Sequence, residues 1–107
     1  MTLQTQLVLR VLLEDPEGQH YGLEIAKSAG LASGSLYPIL ARLEQAGWVE
    51  SHWEVIDQKA AGRPRRRYYC LTRDGAVQAR QALAETFERL APRGRLFGNG
   101  SPGVVTP

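Results

Sequence analysis

Residues 21–49 read YGLEIAKSAGLASGSLYPILARLEQAGWV, in which two short apolar stripes are separated by a glycine. In the first stripe, Tyr21, Ile25 and Ala29 recur at the spacing that places side chains on one face of an α-helix. Gly30 suits the left-handed residue that commonly follows the last turn of a helix. A second helix follows after a short turn, and two short helices joined in this way have the spacing of a helix-turn-helix motif.

The second helix is expected to extend to about Ala46, where Gly47 closes it. Its start is harder to place, because proline fits best in the first turn of a helix, where no N–H is needed. Its start stays open: the helix follows a turn through Leu31 and Ala32, and if Pro38 lies in its first turn, the regular part begins as late as Ser35. Helical spacing predicts a core-facing side made of Leu36, Ile39, Leu40 and Leu43.

The opposite side of this helix is small and nearly uncharged. It is formed by Gly34, Pro38, Ala41 and Gln45, flanked by Ser35, Tyr37 and Arg42. A helix side that meets only water usually carries Lys and Glu, whereas this surface suits close entry into the major groove of DNA. Ser33 and Ser35 are candidates to donate hydrogen bonds to phosphates or base edges, and Arg42 is a candidate to reach a phosphate or a guanine. Two interpretations of Tyr37 stay open, a DNA contact or packing against the following helix.

The net charge of +2 is distributed unevenly along the chain. Residues 1–57 carry a net charge of −5, whereas residues 58–73 carry +6 and contain no acid. The six cations are Lys59, Arg63, Arg65, Arg66, Arg67 and Arg73. A focused basic block is typical of proteins that bind a polyanion such as nucleic acid, and the planar guanidinium of arginine suits phosphate and guanine. A solvated arginine-rich loop that only improves solubility is the alternative.

Two segments have the composition of β-strands, Trp48–Ile56 and Arg66–Leu71, and a connection from Asp57 to Pro64 lies between them. The side chains expected to share a face are Val49, Trp53 and Val55 in the first segment and Tyr69 and Leu71 in the second. A long basic loop between the segments predicts a hairpin with a projecting tip. A helix-turn-helix followed by such a hairpin is a winged helix, whose second helix enters the major groove while wing arginines reach the flanking backbone or a minor groove.

A further helix is expected before this unit, from a Thr2 cap to about Glu14. Its apolar stripe contains Leu3, Leu7 and Val11, and Leu9 and Leu13 widen it. That width exceeds what one small core needs and indicates a second buried surface.

A last helix is expected to begin after Thr72, its cap, with Asp74 favourably placed in the first turn. Its apolar stripe contains Ala76, Ala79, Leu83, Phe87 and Leu90. From Pro92 onward the composition changes to Pro, Gly, Ser and Asn, which predicts a flexible tail.

The composition also limits the class of protein. The 107 residues allow one compact domain, and 43% apolar with 22% charged residues is the composition of an ordinary folded domain. No run of about 18 apolar residues is available to cross a membrane, and the first residues lack a basic secretion signal. A single cysteine, Cys70, excludes an internal disulfide and fits a reducing cytoplasm. We therefore expect a soluble intracellular protein.

Enzymatic or metal chemistry is not expected from this sequence. The two histidines and Cys70 are the only imidazole or thiol ligands, and no two of them have the spacing of a metal site. There is no Gly-rich phosphate loop and no Ser-His-Asp order, so we expect neither a cofactor nor catalysis. Cys70 is expected to be a structural thiol, although nearby arginines would lower its pKa and leave redox sensing open. Trp48, Trp53 and Phe87 leave open a pocket for a flat aromatic effector, with core packing as the alternative.

Four motifs carry a family resemblance. They are Tyr21-Gly-Leu-Glu-Ile-Ala-Lys, Gly34-Ser-Leu-Tyr-Pro-Ile-Leu-Ala-Arg-Leu-Glu, Gly47-Trp-Val-Glu and Gly62-Arg-Pro-Arg-Arg-Arg-Tyr-Tyr-Cys-Leu-Thr. Over roughly residues 3–90 the chain resembles the PadR family, whose name comes from the bacterial regulator of phenolic acid decarboxylase. The resemblance implies a homodimeric winged-helix transcription factor, most often a repressor, that binds inverted-repeat operators.

The resemblance also implies roles for residues. Ser35, Tyr37 and Arg63–Arg67 fall on the DNA-contacting segments of the family, and the first and last helices fall on its dimerisation surface. The chain departs from the family pattern at Ala32-Ser33, where members often have Ser-Pro before the following pair. Its single C-terminal helix resembles the short subgroup, which implies a smaller dimer interface.

These observations predict a mainly α protein with a small β-hairpin. A winged helix-turn-helix is expected over residues 1–72, a dimerisation helix over residues 73–91 and a flexible tail over residues 92–107. The expected function is sequence-specific regulation of transcription by a homodimer that binds double-stranded DNA. We expect it to act in the bacterial cytoplasm, at the nucleoid. The alternative is a protein adaptor whose basic wing binds an acidic partner. The candidate DNA contacts are Ser33, Ser35, Tyr37, Pro38, Arg42, Arg63, Arg65, Arg66 and Arg67. The candidate dimerisation residues are Leu3, Leu7, Leu9, Leu13, Leu83, Phe87 and Leu90.

Overall fold

A computed structural model of the chain describes residues 1–90, with side chains through Phe87. In chain order the elements are α1 (Leu3–Glu14), β1 (His20–Tyr21), α2 (Gly22–Ala29), α3 (Ser33–Gln45), β2 (Val49–Trp53), α4 (Gln58–Ala61), β3 (Arg67–Leu71) and α5 (Arg73–Leu90). The fold is mainly helical, as predicted, with α2 and α3 as the helix-turn-helix and the β2–β3 hairpin as the wing. The expected tail over residues 92–107 and the side chain of Leu90 lie outside the described residues.

Two threonines begin helices, as the sequence predicts. The Thr2 hydroxyl oxygen accepts a hydrogen bond from the Thr5 N–H at 3.2 Å, at the start of α1. The Thr72 hydroxyl oxygen accepts from the Gly75 N–H at 2.8 Å and donates to the Gly47 carbonyl at 2.8 Å. This second cap therefore also ties the start of α5 to the turn between α3 and β2.

The sheet contains a strand that the sequence pattern does not reveal. His20 and Tyr21 pair antiparallel with Tyr69 and Tyr68 of β3, so the strand order is β1-β3-β2 and β3 is central. Tyr21 is therefore a strand residue and the N-cap of α2, and the prediction that it begins the helical face is wrong. Two residues are too few to show an alternating pattern, and their pairing depends on residues far along the chain.

Helix α3 begins at Ser33, directly after the turn through Leu31 and Ala32, and not as late as Ser35. Pro38 lies in the second turn of the helix, where its missing N–H leaves the Gly34 carbonyl without an intrahelical donor. Both residues are exposed, so water can hydrate this carbonyl and no polar group is stranded in the core. The core-facing side is confirmed, because Leu36, Ile39, Leu40 and Leu43 are all buried.

Helix α1 is rotated differently from the prediction. Its buried residues are Val8, Leu9 and Leu12, whereas Leu3 is 65% exposed. Because Leu9 is fully buried in the chain's own core, the prediction that it belongs to a second, dimerisation surface is wrong. The helix is leucine-rich all around, and periodicity alone does not say which of two overlapping stripes faces the core.

The wing is shorter and more structured than predicted. Strands β2 and β3 pair antiparallel with Val49 opposite Leu71, and Tyr69 and Leu71 share a buried face as predicted. Strand β2 ends at Trp53, so the prediction that Val55 shares its face is wrong, and Val55 is 99% exposed. The connection contains α4 where a plain loop was expected, because four helical residues are too few to show a period.

The burial of Leu9 predicts its effect on stability. Leu9→Ala should lower the free energy of unfolding by about 2–5 kcal/mol, because it leaves a cavity in the core. As a matched control, Leu23→Ala on α2 removes an exposed leucine and should change that free energy by less than about 0.5 kcal/mol. Urea denaturation followed by circular dichroism measures both. Equal losses for the two variants would contradict this account of the core.

Candidate nucleic-acid interface

The exposed side of α3 forms the first part of the interface, and we name it the free face. It comprises Ser33, Gly34, Ser35, Tyr37, Pro38, Ala41, Arg42 and Gln45, all of them exposed. All five of the α3 residues predicted to contact DNA therefore lie on one solvent-facing side. Arg42, in the last turn, is the only charged residue of the free face, so most of this surface can approach a base edge closely without desolvating a charge.

Tyr37 has one side packed and the other exposed. Its hydroxyl oxygen lies over Gly22 at the start of α2, where an added Cβ would approach it to 2.5 Å. Only glycine fits there without displacing the tyrosine, so the packing is against the preceding helix and not the following one. The side chain nevertheless remains 46% exposed.

The wing, residues 49–71, is organised around the carboxylate of Glu54. The Arg63 guanidinium donates to both of its oxygens, from Nη1 at 2.7 Å and from Nη2 at 3.0 Å. The Arg66 backbone N–H donates to Oε1 at 3.0 Å, and the Tyr21 hydroxyl donates to Oε2 at 3.3 Å. The carboxylate therefore links β1, the end of β2 and the segment that leads into β3.

These contacts change the acidity of the groups involved. The hydrogen bonds from Arg63 lower the pKa of the Glu54 carboxyl from its usual 4.5 to about 2, against the opposing effect of burial. The same pairing raises the pKa of the Arg63 guanidinium. Burial, followed by the Glu54 charge, raises the pKa of the Tyr21 hydroxyl. The pair is therefore ionised throughout the range in which the protein would meet DNA.

A second chain of contacts ties the wing to α3. The Arg67 Nη2 donates to the Ser51 hydroxyl oxygen at 2.6 Å, and that hydroxyl donates to Glu44 Oε2 at 2.6 Å. The Arg67 guanidinium also lies over the Trp53 ring, 5.5 Å from its centroid. Because Glu44 belongs to α3, these bonds fix the base of the wing relative to the free face.

The predicted wing arginines therefore differ in their surroundings. Arg63 and Arg67 are held by acceptors within the chain. Arg66 is exposed, and its guanidinium carbon lies 5.7 Å from the centre of the Tyr21 ring. Arg65 is exposed between Pro64 and Arg66.

A shallow hollow of about 240 Å³ lies where the helix-turn-helix meets the wing. It is lined by Tyr21, Gly22, Leu23, Tyr37, Arg66 and Arg67. The structure thus brings the free face and the wing together through Tyr37 on one side and two arginines on the other. Such a concave junction of aromatic and cationic groups suits the curved, anionic surface of a duplex.

The other predicted chemistry is less well supported. Partial burial, followed by the Glu50 charge, raises the pKa of the Cys70 thiol, so the expectation that arginines lower it is wrong. Trp48 packs against the core, whereas Trp53 and Phe87 are largely exposed, and neither tryptophan lines the hollow beside Phe87.

In the part of the chain that the structure describes, no cluster of metal-ligating side chains occurs. Among the described helices, none combines the length and apolarity needed to cross a membrane.

Several residues that build this site were missed by sequence reasoning. Glu54, Ser51 and Glu44 organise the wing arginines, and Gly22 makes room for Tyr37. A signal for Glu54 did exist, because it is the acid nearest to the arginine run on the facing arm of a hairpin. Cross-strand pairs of opposite charge are a general stabilising feature of hairpins.

Solved structures share this architecture. The chain aligns with a PadR family transcriptional regulator from Eggerthella lenta DSM 2243 at 27% identity and a TM-score of 0.65, covering 88% of this chain and 83% of that one. It aligns with the structure of reduced AbfR bound to DNA at 29% identity and a TM-score of 0.65, and this alignment covers 88% of this chain but only 62% of AbfR. It aligns with NadR in complex with 4-hydroxyphenylacetate at 30% identity and a TM-score of 0.64, and this alignment covers 83% of this chain but only 57% of NadR. A comparison with curated proteins found no match.

The fold is that of winged-helix transcriptional regulators. The profile of the transcriptional regulator PadR-like family matches residues 8–81, most of the chain, so the protein belongs to that family. The resemblance carried by the four sequence motifs is thereby confirmed. The family consists of transcription factors, in agreement with the expectation that this chain is not an enzyme.

The lowered pKa of Glu54 predicts a pH dependence of stability. A carboxyl whose pKa is lower in the folded state stabilises the fold above the unfolded value, and this contribution is lost as pH falls through the folded value. The stabilising effect of Glu54 should therefore disappear between pH 4.5 and about 2. Urea denaturation across this range should show a flatter acid limb for Glu54→Gln than for the unmodified protein.

Arg63→Gln is the matched variant, because it removes the other half of the pair. It should flatten the same part of the curve. An acid limb unchanged in both variants would mean that the pair does not contribute to folding stability.

Proposed function

We propose that this protein represses transcription by binding inverted-repeat operators as a homodimer, with its free face in the major groove and its wing on the flanking backbone. The observation that carries the proposal is the junction between an exposed, nearly uncharged helix face and an arginine-bearing wing. In a symmetric dimer the two α3 helices would enter successive major grooves about 34–36 Å apart. Such a protein would act in the bacterial cytoplasm, at the nucleoid.

The proposed DNA contacts fall into two groups. Ser33, Ser35, Tyr37, Pro38 and Arg42 on the free face are assigned to base edges and nearby phosphates. Arg65 and Arg66 are assigned to the DNA backbone or the adjacent minor groove, since they project from the wing. Arg63 and Arg67 support them from within the wing, because their guanidinium groups already have partners in the chain.

The proposed dimer surface is formed by α1 and α5, which pack side by side. Leu3 is 65% exposed on α1 and Phe87 is 72% exposed on α5. Phe87 also lines a hollow of about 440 Å³ with Gln6, Arg10, Leu83 and Thr86. Exposed large apolar side chains beside a groove are typical of protein interfaces, and Leu7, Leu13 and Leu83 are half-buried at the same two helices. Residues 1–72 would then be the DNA-binding unit and residues 73–91 the dimerisation helix.

We also propose that a small-molecule effector releases the operator, and this proposal depends on the dimer described above. The NadR structure is of a complex with 4-hydroxyphenylacetate, which supports an aromatic acid as the class of ligand. By changing the angle between protomers, such a ligand would alter the spacing of the two α3 helices and release the operator. An aromatic acid that binds the protein and leaves operator affinity unchanged would contradict this step.

Selection of random-sequence duplexes by the purified protein at physiological salt tests the central proposal. An inverted repeat with half-sites one helical turn apart would support it. Retention without any sequence motif would contradict it and favour the adaptor alternative, in which the basic wing binds an acidic protein. A motif without symmetry would contradict the homodimer.

The two groups of contacts predict two kinds of mutant. Arg42→Ala or Tyr37→Ala should lower discrimination between the selected site and mismatched sites by about 1–3 kcal/mol, because a base contact is lost. Arg65→Ala should weaken all duplexes similarly and lower the salt slope of binding by about one, because a phosphate contact is lost. Fluorescence anisotropy across a salt series measures both quantities. Identical behaviour of Tyr37→Ala and Arg65→Ala would contradict the division.

The dimer surface predicts a shift in association. Phe87→Ser should raise the dimer dissociation constant at least about tenfold, because a central aromatic contact is lost. Val55→Ser is the matched control, since it also replaces an exposed apolar residue but lies in the wing. Sedimentation equilibrium measures both variants. A dimer that is equally stable in all three proteins would place the interface elsewhere.

A further inference from the structure

Glu54 is an acidic residue within a wing whose arginines are proposed to bind the negatively charged DNA. Its carboxylate bonds to Arg63 and to the Arg66 backbone, in the segment that contains the arginines proposed to face DNA, and its negative charge lowers the positive potential there. Simple electrostatics therefore predicts that removing this charge would tighten binding to a polyanion.

The geometry around Glu54 predicts the opposite effect. Only 14% of its side chain is exposed, and four donors point at its carboxylate. In addition, the Glu54 backbone N–H donates to the Arg66 carbonyl at 2.8 Å. The side chain is thus part of the wing's internal structure and is not a surface charge.

The bonds of Glu54 lie on both sides of Arg65, an exposed residue of the wing. The chain from Arg63 to Arg66 has no regular secondary structure. Glu54 holds the Arg63 side chain at one end of this segment and the Arg66 backbone at the other. Arg65 lies between the two attachment points, so its backbone is confined from both sides.

The same carboxylate also orients Arg66. The Tyr21 hydroxyl donates to Glu54, and the Arg66 guanidinium lies over the ring of that tyrosine. Tyr21 in turn precedes the α2 start against which Tyr37 packs. The Glu54 carboxylate therefore forms a second connection between the wing and the helix-turn-helix, beside the Arg67–Ser51–Glu44 bonds.

We propose that Glu54 is a positioning residue for DNA binding: it fixes residues 63–66 so that Arg65 and Arg66 face the duplex, and its loss weakens binding despite removing a negative charge. This inference rests on the proposed function. It goes beyond that function by assigning an acidic residue a favourable role in contact with a polyanion.

The test compares Glu54→Gln with Glu50→Gln in the full-length chain. Both variants remove one negative charge from the same arm of the hairpin, but Glu50 is exposed and points to the neighbouring His52. The probe is a mixed-sequence duplex, and affinity is measured over a salt series. Glu54→Gln should weaken binding about tenfold and lower the salt slope by about one, since confined phosphate contacts are lost. Glu50→Gln should bind at least as tightly as the unmodified protein.

Glu54→Asp separates geometry from charge. It keeps the negative charge but withdraws the carboxylate by one methylene, so it should also weaken binding. Far-UV circular dichroism at the assay temperature shows that each variant compared is folded. If Glu54→Gln is unfolded at the assay temperature, the DNA affinity of Glu54→Asp becomes the test. A Glu54→Asp affinity equal to that of the unmodified protein then overturns the proposal.

A double variant tests how Arg63 acts. If Arg63 supports DNA binding only through Glu54, Arg63→Gln should weaken binding alone but add little in the Glu54→Gln background. Full additivity would overturn the positioning role and return Arg63 to direct DNA contact.

The outcomes also separate this inference from the proposed function. If the unmodified protein shows no salt-dependent binding to the duplex, the proposed function fails. If it binds and Glu54→Gln follows Glu50→Gln, the function stands and the positioning role of Glu54 is overturned.

Discussion

Burial of one side of α3 determines which residues the protein can present to a partner. Leu36, Ile39, Leu40 and Leu43 are each at most 7% exposed, and burial of such side chains stabilises a fold by about 1.5–3 kcal/mol each. Any substantial rotation of α3 about its axis would expose part of this set and bury Arg42. The free face is therefore a direct consequence of core packing, and its position does not depend on the presence of DNA.

The wing is fixed by a different physical principle, the pairing of partly buried charges. The Glu54 carboxylate pairs with Arg63, and the Ser51 hydroxyl, which donates to Glu44, accepts a hydrogen bond from Arg67. The arginines of the wing therefore have different roles. Arginines with internal acceptors shape the wing, whereas Arg65 and Arg66 remain exposed at its surface.

The features that depend on local periodicity and helix capping could be predicted from the sequence. It predicted the core side of α3, the Thr2 and Thr72 caps and the order of helix-turn-helix and hairpin. It failed where the outcome depends on contacts distant along the chain. Strand β1 exists only because β3 pairs with it, and the rotation of α1 is decided by the helices packed around it.

The site shows the same division between local and distant information. Glu54 binds groups that lie 9, 12 and 33 residues away. Its place opposite the arginine run indicates a charge pair across the hairpin, but not that Arg63 is the arginine it binds. A count of cations correctly located the basic block but treated its arginines as equivalent. Only the geometry distinguishes Arg63 and Arg67, whose guanidinium groups bond to acceptors within the chain, from Arg65 and Arg66.

In the proposed complex the free face and the wing contact one duplex together. Titration of the ¹⁵N-labelled protein with its selected duplex, followed by two-dimensional NMR, tests this most directly. We expect the amide signals of residues 33–37, 39–42, 65 and 66 to shift at the same DNA concentration. Shifts confined to the wing, with the α3 signals unchanged, would contradict the claim and reduce the interaction to charge alone.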